Sequence, residues 1–137
     1  MIDWTKLHPD FAHKLTALVG LLKDEGLKMQ GASGYRSLRE QGALYAKGRT
    51  RPGAKVTNAP PGSSAHNWGC GCDFIFVDGD GKRHYDGNWN LFGVLVKRAG
   101  LTWGGDFHSI VDRPHCELTT WRNVRDEGWT PPLVIEA

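Results

Sequence analysis

Residues 64–77 read Ser-Ala-His-Asn-Trp-Gly-Cys-Gly-Cys-Asp-Phe-Ile-Phe-Val, and their second half carries the strongest strand signal in the chain. Residues 73–77 consist of an aspartate followed by four aromatic or β-branched apolar side chains, which predicts a strand. The turn sequence Asp-Gly-Asp-Gly at 78–81 follows directly and predicts a hairpin. We therefore expect a sheet to be organised around residues 73–77.

Three helices are predicted around this strand: one from Pro9 to a stop at Gly26, one opening at Ser37 and ending at Gly48, and one at about 90–99. The second begins with Ser37 and Glu40 in the relation of a capping box. We expect its apolar face to consist of Leu38, Leu44 and Tyr45.

Shorter elements complete the expected fold. A short strand is predicted at 27–30 and a final strand within 103–118. Residues 49–63 contain three prolines and two glycines, which predicts a long irregular loop of the kind that often serves function. Helices interspersed with hairpins indicate an α+β domain whose central, largely antiparallel sheet is flanked by helices.

Length and composition exclude several classes of protein. The 137 residues suit a single domain, 1–137, and no apolar run approaches the ~20 residues that a membrane span needs. The net charge of +2 (17 basic minus 15 acidic residues) does not argue for a nucleic-acid partner. The first residues lack a basic stretch followed by an apolar one, so no secretory signal peptide is predicted. We expect a monomer without stable membrane insertion.

Two histidines and one carboxylate form a candidate metal site: His66, Asp73 and His115. Two neutral imidazoles and one carboxylate are the ligand chemistry of a catalytic zinc ion. Seven extended residues would span about 23 Å, so His66 and Asp73 meet only if the chain folds back, which Gly69 permits. Asp112, three residues before His115, is the candidate for the carboxylate that accepts the proton of a water molecule.

The three cysteines do not fit this metal site. Strand alternation directs Cys72 away from the side of Asp73, and Cys116 away from the side shared by His115 and Glu117. A structural zinc site would favour pairs of cysteines separated by two residues, and the chain has none. We therefore predict reduced, buried thiols.

Several motifs together resemble those of a known family. Residues 64–73 resemble the Ser-x-His-x-x-Gly-x-Ala-x-Asp signature of the D-Ala-D-Ala carboxypeptidase-type zinc peptidases, which share their fold with the hedgehog signalling domain. Residues 103–106 and 112–117 resemble the second signature, Gly-Gly-Asp-Trp and then Asp-x-Pro-His-Phe-Glu. Residues 34–50 are similar to the L-alanyl-D-glutamate endopeptidase branch, to which bacteriophage endolysins belong. The motif-bearing core covers about 34–118.

The resemblance implies a role for each matching residue. It implies zinc on His66, Asp73 and His115, with Asp112 as the general base. It also implies that Arg36 holds a substrate carboxylate or steadies the developing oxyanion. The resemblance also makes Ser64 a substrate-binding candidate, which would form a hydrogen bond near the metal site or brace the turn. The sequence departs from the signatures at three positions that are neither ligand nor base: Gly71, Phe107 and Cys116.

The activity implied by the resemblance is zinc-dependent hydrolysis of the L-alanyl-D-glutamate bond in peptidoglycan stem peptides, as in a phage or prophage endolysin that lyses its host. Such a protein would be made in the bacterial cytoplasm and act on the cell wall or in the periplasm. Two alternatives stay open: a D-Ala-D-Ala carboxypeptidase or dipeptidase of the same fold, and a non-catalytic, zinc-bearing module that binds the cell wall.

Overall fold

The computed structural model describes residues 1–132, which form four helices, five strands and three short 3-10 turns. The helices are α1 (Pro9–Asp24), α2 (Leu38–Ala46), α3 (Trp89–Arg98) and α4 (Trp121–Asp126). The strands are β1 (Met29–Ser33), β2 (Gly71–Val77), β3 (Arg83–His84), β4 (Thr102–Trp103) and β5 (His115–Glu117). The 3-10 turns are Trp4–Lys6, Ala65–Trp68 and Gly104–Asp106. Among these residues, no helix combines the length and apolar character that crossing a membrane requires.

The strands form one antiparallel sheet in the order β1-β2-β5-β4, and β3 pairs with the far end of β2. β5 therefore enters the sheet between β2 and β4, although a long stretch of chain separates it from β2. Its register pairs Asp73 with His115 directly across the two central strands. The prediction of an α+β fold with a central antiparallel sheet and flanking helices is confirmed.

The hydrophobic core lies on the face of the sheet that is covered by α1 and α3. The apolar stripe of α1 consists of four buried residues, Phe11, Leu15, Leu18 and Leu22. On β2, Phe74 and Phe76 belong to the same cluster, together with Cys72. Asp73 points to the opposite face, as strand alternation predicts. The packed face thereby leaves the other face of β2 and β5 free for polar side chains.

The three cysteines are free and buried, as predicted. Cys72 and Cys116 pair across β2 and β5, where the Cys116 thiol donates a hydrogen bond to the Cys72 carbonyl oxygen at 3.4 Å. Burial raises the pKa of Cys70 to about 12 and also raises the pKa values of the other two thiols. Because the thiolate is the reactive form, we expect these cysteines to be unreactive in the folded protein.

A thiol titration checks this description. At pH 8 the folded protein is expected to leave all three cysteines unreacted towards a disulfide reagent over minutes, because their thiolate forms are suppressed and covered. Addition of denaturant is expected to release three reactive thiols. Rapid reaction of even one thiol in the native protein would contradict the packing described here.

Helix α2 differs from the prediction in the face that it buries. The capping box of Ser37 and Glu40 is present, but Leu38 is 49% exposed and the fully buried side chain is Gln41. The reason is that α2 turns Gln41 towards a hydrogen-bonded contact with Arg36 and the carbonyl oxygen of Ala59. The helix therefore packs on a polar loop, and its hydrophobic residues do not define its buried side.

Smaller differences concern the ends of the chain. The first strand, expected at 27–30, occupies Met29–Ser33. The segment after residue 120 contains α4, whose Trp121 and Val124 pack into the core. Residues 133–137 lie outside the described part of the chain.

Candidate active site

Three side chains converge on the polar face of the sheet: His66, Asp73 and His115. Their ligand atoms all lie within 4.8 Å of one another. His66 Nε2 is 3.3 Å from Asp73 Oδ1, and His115 Nδ1 is 3.0 Å from the same oxygen. The structure thus brings together the three residues that the sequence singled out as metal ligands.

The turn that carries His66 depends on Gly69. Residues Ala65–Trp68 form a 3-10 turn, and Gly69 ends it in the left-handed conformation with φ of 67°. A Cβ atom at this position would lie 2.7 Å from the carbonyl oxygen of Lys6 and 2.8 Å from the amide nitrogen of His8. Glycine is therefore required both for the fold-back predicted from the sequence and for the close approach of the N-terminal segment.

The remaining nitrogens of the two histidines are held by fixed acceptors. His66 Nδ1 lies 2.7 Å from the carbonyl oxygen of Gly34, and His115 Nε2 lies 2.7 Å from Glu117 Oε1. The second oxygen of Glu117 accepts a hydrogen bond from the Trp121 indole at 2.9 Å. Such contacts fix the tautomer and ring orientation of a metal-ligating histidine. The donor set therefore fits a zinc ion: three convergent ligand atoms, two of them on oriented imidazoles.

The charges in this cluster reinforce one another. Burial disfavours the ionised form of Asp73, but hydrogen bonds from His115 and His66 outweigh it and hold its pKa well below the usual range. Burial likewise disfavours the imidazolium of His115, yet the carboxylates of Asp73 and Glu117 raise its pKa to about 9. Without a metal ion, a proton on His115 therefore supplies the positive charge that these carboxylates require.

Asp112 lines the same groove, and two hydrogen bonds of its backbone hold it in place. Its amide donates to the carbonyl oxygen of Gly104 at 2.9 Å, and its own carbonyl accepts from the amide of His115 at 3.1 Å. A Cβ atom on Gly104 would overlap the Asp112 carbonyl oxygen, so glycine is needed for this close approach. Burial, and then the nearby charge of Asp73, raise the pKa of the Asp112 carboxyl. Such a carboxylate is suited to accept and return a proton.

Arg36 lies at the β1 side of the groove and is fixed by two side chains. Its guanidinium donates to Gln41 Oε1 at 2.9 Å and to Ser33 Oγ at 3.4 Å. Gln41 was not predicted as part of the site, because its partners, Arg36 and the carbonyl oxygen of Ala59, come from outside its own helix. Ser64 Oγ accepts a hydrogen bond from the His66 amide at 3.3 Å and so braces the turn.

The groove crosses the sheet and has a volume of about 1020 Å³. On the β1 side it is lined by Arg36 and by residues of the loop predicted to be functional, among them Thr57 and Ala59. On the β4 side its walls include Thr102 and residues that follow β5. The metal-ligand cluster and Asp112 line the groove between these ends. A peptide lying in it would extend past the cluster in both directions.

The groove holds a ligand cluster of two histidines and an aspartate together with a further carboxylate. These are the groups that a metal-dependent hydrolytic enzyme uses. The family model described as VanY, D-alanyl-D-alanine carboxypeptidase, matches residues 4–90. The chain belongs to this family and is a peptidase.

Individual relatives agree with this assignment. The chain is 36% identical over 122 residues to the peptidoglycan L-alanyl-D-glutamate endopeptidase CwlK of Bacillus subtilis strain 168, covering 82% of this chain and 73% of CwlK. The fold is similar to that of the L-Ala D-Glu endopeptidase ChiX of Serratia marcescens, with a TM-score of 0.64, 20% identity and coverage of 88% and 86%. It is also similar to the vancomycin-resistance D,D-pentapeptidase VanY solved with Zn(II), with a TM-score of 0.60, 18% identity and coverage of 90% and 80%.

Proposed function

We propose that this protein is a zinc-dependent peptidoglycan endopeptidase that hydrolyses the L-alanyl-D-glutamate bond of stem peptides. The observation that carries the proposal is the convergence of His66, Asp73 and His115 in a groove that also contains Asp112. The similarity to CwlK, an L-alanyl-D-glutamate endopeptidase, supports this bond as the substrate.

In this proposal, His66, Asp73 and His115 hold the zinc ion. A zinc ion bound there would lower the pKa of a water molecule and polarise the scissile carbonyl group. Asp112 takes up the proton of the attacking water and then delivers it to the leaving amine. Its position beside the ligand cluster and its raised pKa suit both halves of this transfer.

Arg36 acts on the substrate. Its planar, permanently charged guanidinium is suited to bind a carboxylate or to stabilise the developing oxyanion. The hydrogen bond to the fully buried Gln41 holds the guanidinium in one orientation, which lowers the cost of ordering it when substrate binds. Ser64 contributes by fixing the turn that presents His66.

We also propose the cellular role that the motif resemblance implies: a phage or prophage endolysin that acts on the cell wall as a monomer. Turbidity loss of permeabilised bacteria exposed to the purified protein tests this role. Intact turbidity together with cleavage of isolated stem peptides would keep the enzyme and remove the lytic role.

A second candidate function is removal of a terminal D-Ala by the same groove, because the matching family model is that of a D-alanyl-D-alanine carboxypeptidase. Mass spectrometry of peptidoglycan fragments digested with the zinc-loaded protein separates the two. A new free D-Glu amino terminus would establish the endopeptidase, whereas release of D-Ala would establish the carboxypeptidase. No cleavage by a folded, zinc-loaded protein would favour a non-catalytic wall-binding module.

The role of Glu117 is tested through zinc affinity. Glu117→Gln keeps the shape of the side chain but removes the charge that makes His115 a more basic ligand. We expect about tenfold weaker zinc binding at pH 9, where protonation of His115 no longer competes strongly. A chelator competition titration measures this change. Unchanged affinity would show that Glu117 only supports the fold.

A further inference from the structure

Arg122 belongs to α4, lines the groove and has no assigned role. It lines the groove as an exposed side chain, and its guanidinium carbon stacks 4.4 Å from the centre of the Trp121 ring. Within residues 1–132, no carboxylate oxygen approaches Arg122 within salt-bridge distance. As far as the described residues go, the positive charge of Arg122 is therefore available to a ligand in the groove.

Two acidic side chains that line the same groove already have partners. Glu117 binds His115 and the Trp121 indole through its two oxygens. Asp106, which also lines the groove, pairs with Lys97 at 3.1 Å. Because both carboxylates have other partners, neither neutralises the Arg122 guanidinium.

Two hydroxyl groups line the groove together with Arg122. Thr102 and Thr119 both line it, and their side-chain oxygens lie 2.6 Å apart in a shared hydrogen bond. One of the two hydroxyls is left with its proton free for another acceptor, because a single hydrogen bond uses only one. Arginine with adjacent hydroxyl donors is the chemistry that binds a carboxylate.

The strands of the sheet show where Arg36, Thr102 and the metal-ligand cluster lie relative to one another. Arg36 follows the edge strand β1, whereas Thr102 belongs to the opposite edge strand β4. The ligand residues Asp73 and His115 lie on the two central strands between them. Arg36 and Arg122 therefore line a groove that also holds the metal-ligand cluster. In a stem peptide cut between L-Ala and D-Glu, the free carboxylates belong to D-Glu and the residues that follow it.

We propose that Arg122, with Thr102 and Thr119, forms a second anionic subsite that binds a free carboxylate on the amine side of the scissile bond. The inference rests on the proposed function and deepens it, because it leaves Arg36 to stabilise the developing oxyanion and directs the carboxylate-rich part of the stem peptide towards α4. The stacking on Trp121 holds the guanidinium in place before substrate arrives.

Arg125 provides a matched control. It stands on the same helix and near the same ring, 5.5 Å from its centre, but its guanidinium pairs with Asp126 at 3.0 Å. Arg122→Gln, Arg122→Lys and Arg125→Gln are compared on synthetic L-Ala-γ-D-Glu-L-Lys-D-Ala. Three forms of this peptide are used: with all carboxylates free, with the D-Glu α-carboxyl amidated, and with the terminal carboxyl amidated.

The expected result is a roughly tenfold rise in KM for Arg122→Gln on the free peptide, with kcat changed less than twofold. The effect should disappear on one of the two amidated peptides, and Arg122→Lys should recover part of the affinity because it keeps the charge. Arg125→Gln should match the unmodified protein. Equal KM values for Arg122→Gln and Arg125→Gln, or a loss that is the same on every peptide, would overturn the subsite.

Direct binding separates this inference from the proposed function. Calorimetric binding of the free peptide is measured with zinc-loaded Asp112→Ala and with the same protein carrying Arg122→Gln. If the unmodified enzyme cleaves no peptide but binding still depends on Arg122, the subsite stands and the proposed bond is wrong. If the enzyme cleaves the peptide and binding is indifferent to Arg122, the subsite falls and the proposed function stands. Absence of both binding and cleavage would overturn both.

Discussion

Replacing Asp112 with alanine is expected to lower kcat by roughly 10²–10⁴-fold while the zinc content of the protein stays at the level of the unmodified chain. The carboxylate is the groove residue best suited to take the proton of water, yet it is not one of the three convergent ligands. Its backbone, which bonds to Gly104 and His115, is unaffected by the change in side chain. Asp112→Ala should therefore lose turnover but keep its zinc binding.

The measurement is turnover of a stem peptide alongside zinc content by atomic spectroscopy. Asp80→Asn is a suitable control, because this carboxylate belongs to the exposed hairpin turn between β2 and β3, outside the residues that line the groove. Asp80→Asn should retain full activity. Activity within tenfold of normal in Asp112→Ala would remove Asp112 from the proton transfer, and loss of zinc from that variant would make it a ligand.

Acidification is expected to release zinc before it unfolds the protein. The carboxylates of Asp73 and Glu117 overcome the effect of burial and raise the pKa of His115 to about 9. Below that pH, zinc must displace a proton from His115, so the apparent affinity should fall about tenfold for each pH unit. Asp73 adds nothing to this slope, because its pKa is held well below the usual range and it stays ionised. Between pH 8 and pH 6 the expected loss is about 100-fold.

A chelator competition titration at several pH values measures the slope, while circular dichroism follows the fold. Glu117→Gln is the informative variant, because removing one of the two carboxylates that raise the pKa of His115 should move the onset of the slope to lower pH. Zinc affinity that is constant from pH 6 to pH 8 would contradict the proton competition. Loss of circular dichroism together with zinc would show that unfolding causes the release.

The structural features that depend on local geometry were predicted best from the sequence. The capping box of Ser37 and Glu40 requires only four consecutive residues and is present. The turn at Gly69 follows from the need to bring two ligands together, and strand alternation separates Cys72 from Asp73. These features depend on spacing and on the period of the strand, both of which can be read from a single chain.

Contacts between distant segments were not predictable in this way. The burial of Gln41 depends on Arg36 and on the loop carbonyl of Ala59, and no helical period encodes such a partner. Strand alternation places Glu117 on the same side as His115, but the bond of Glu117 to Trp121 depends on how α4 begins. The place of Arg122 in the groove was missed for the same reason.

The insertion of β5 between β2 and β4 also fixes when the site can exist. His66 is synthesised 49 residues before His115 and Asp73 42 residues before it, and the edge strand β4 has no partner in the sheet until β5 arrives. A nascent chain that ends before residue 115 therefore lacks a central strand and one ligand at once. Sheet closure and completion of the ligand set are one late event, so incomplete translation products should carry no peptidase activity.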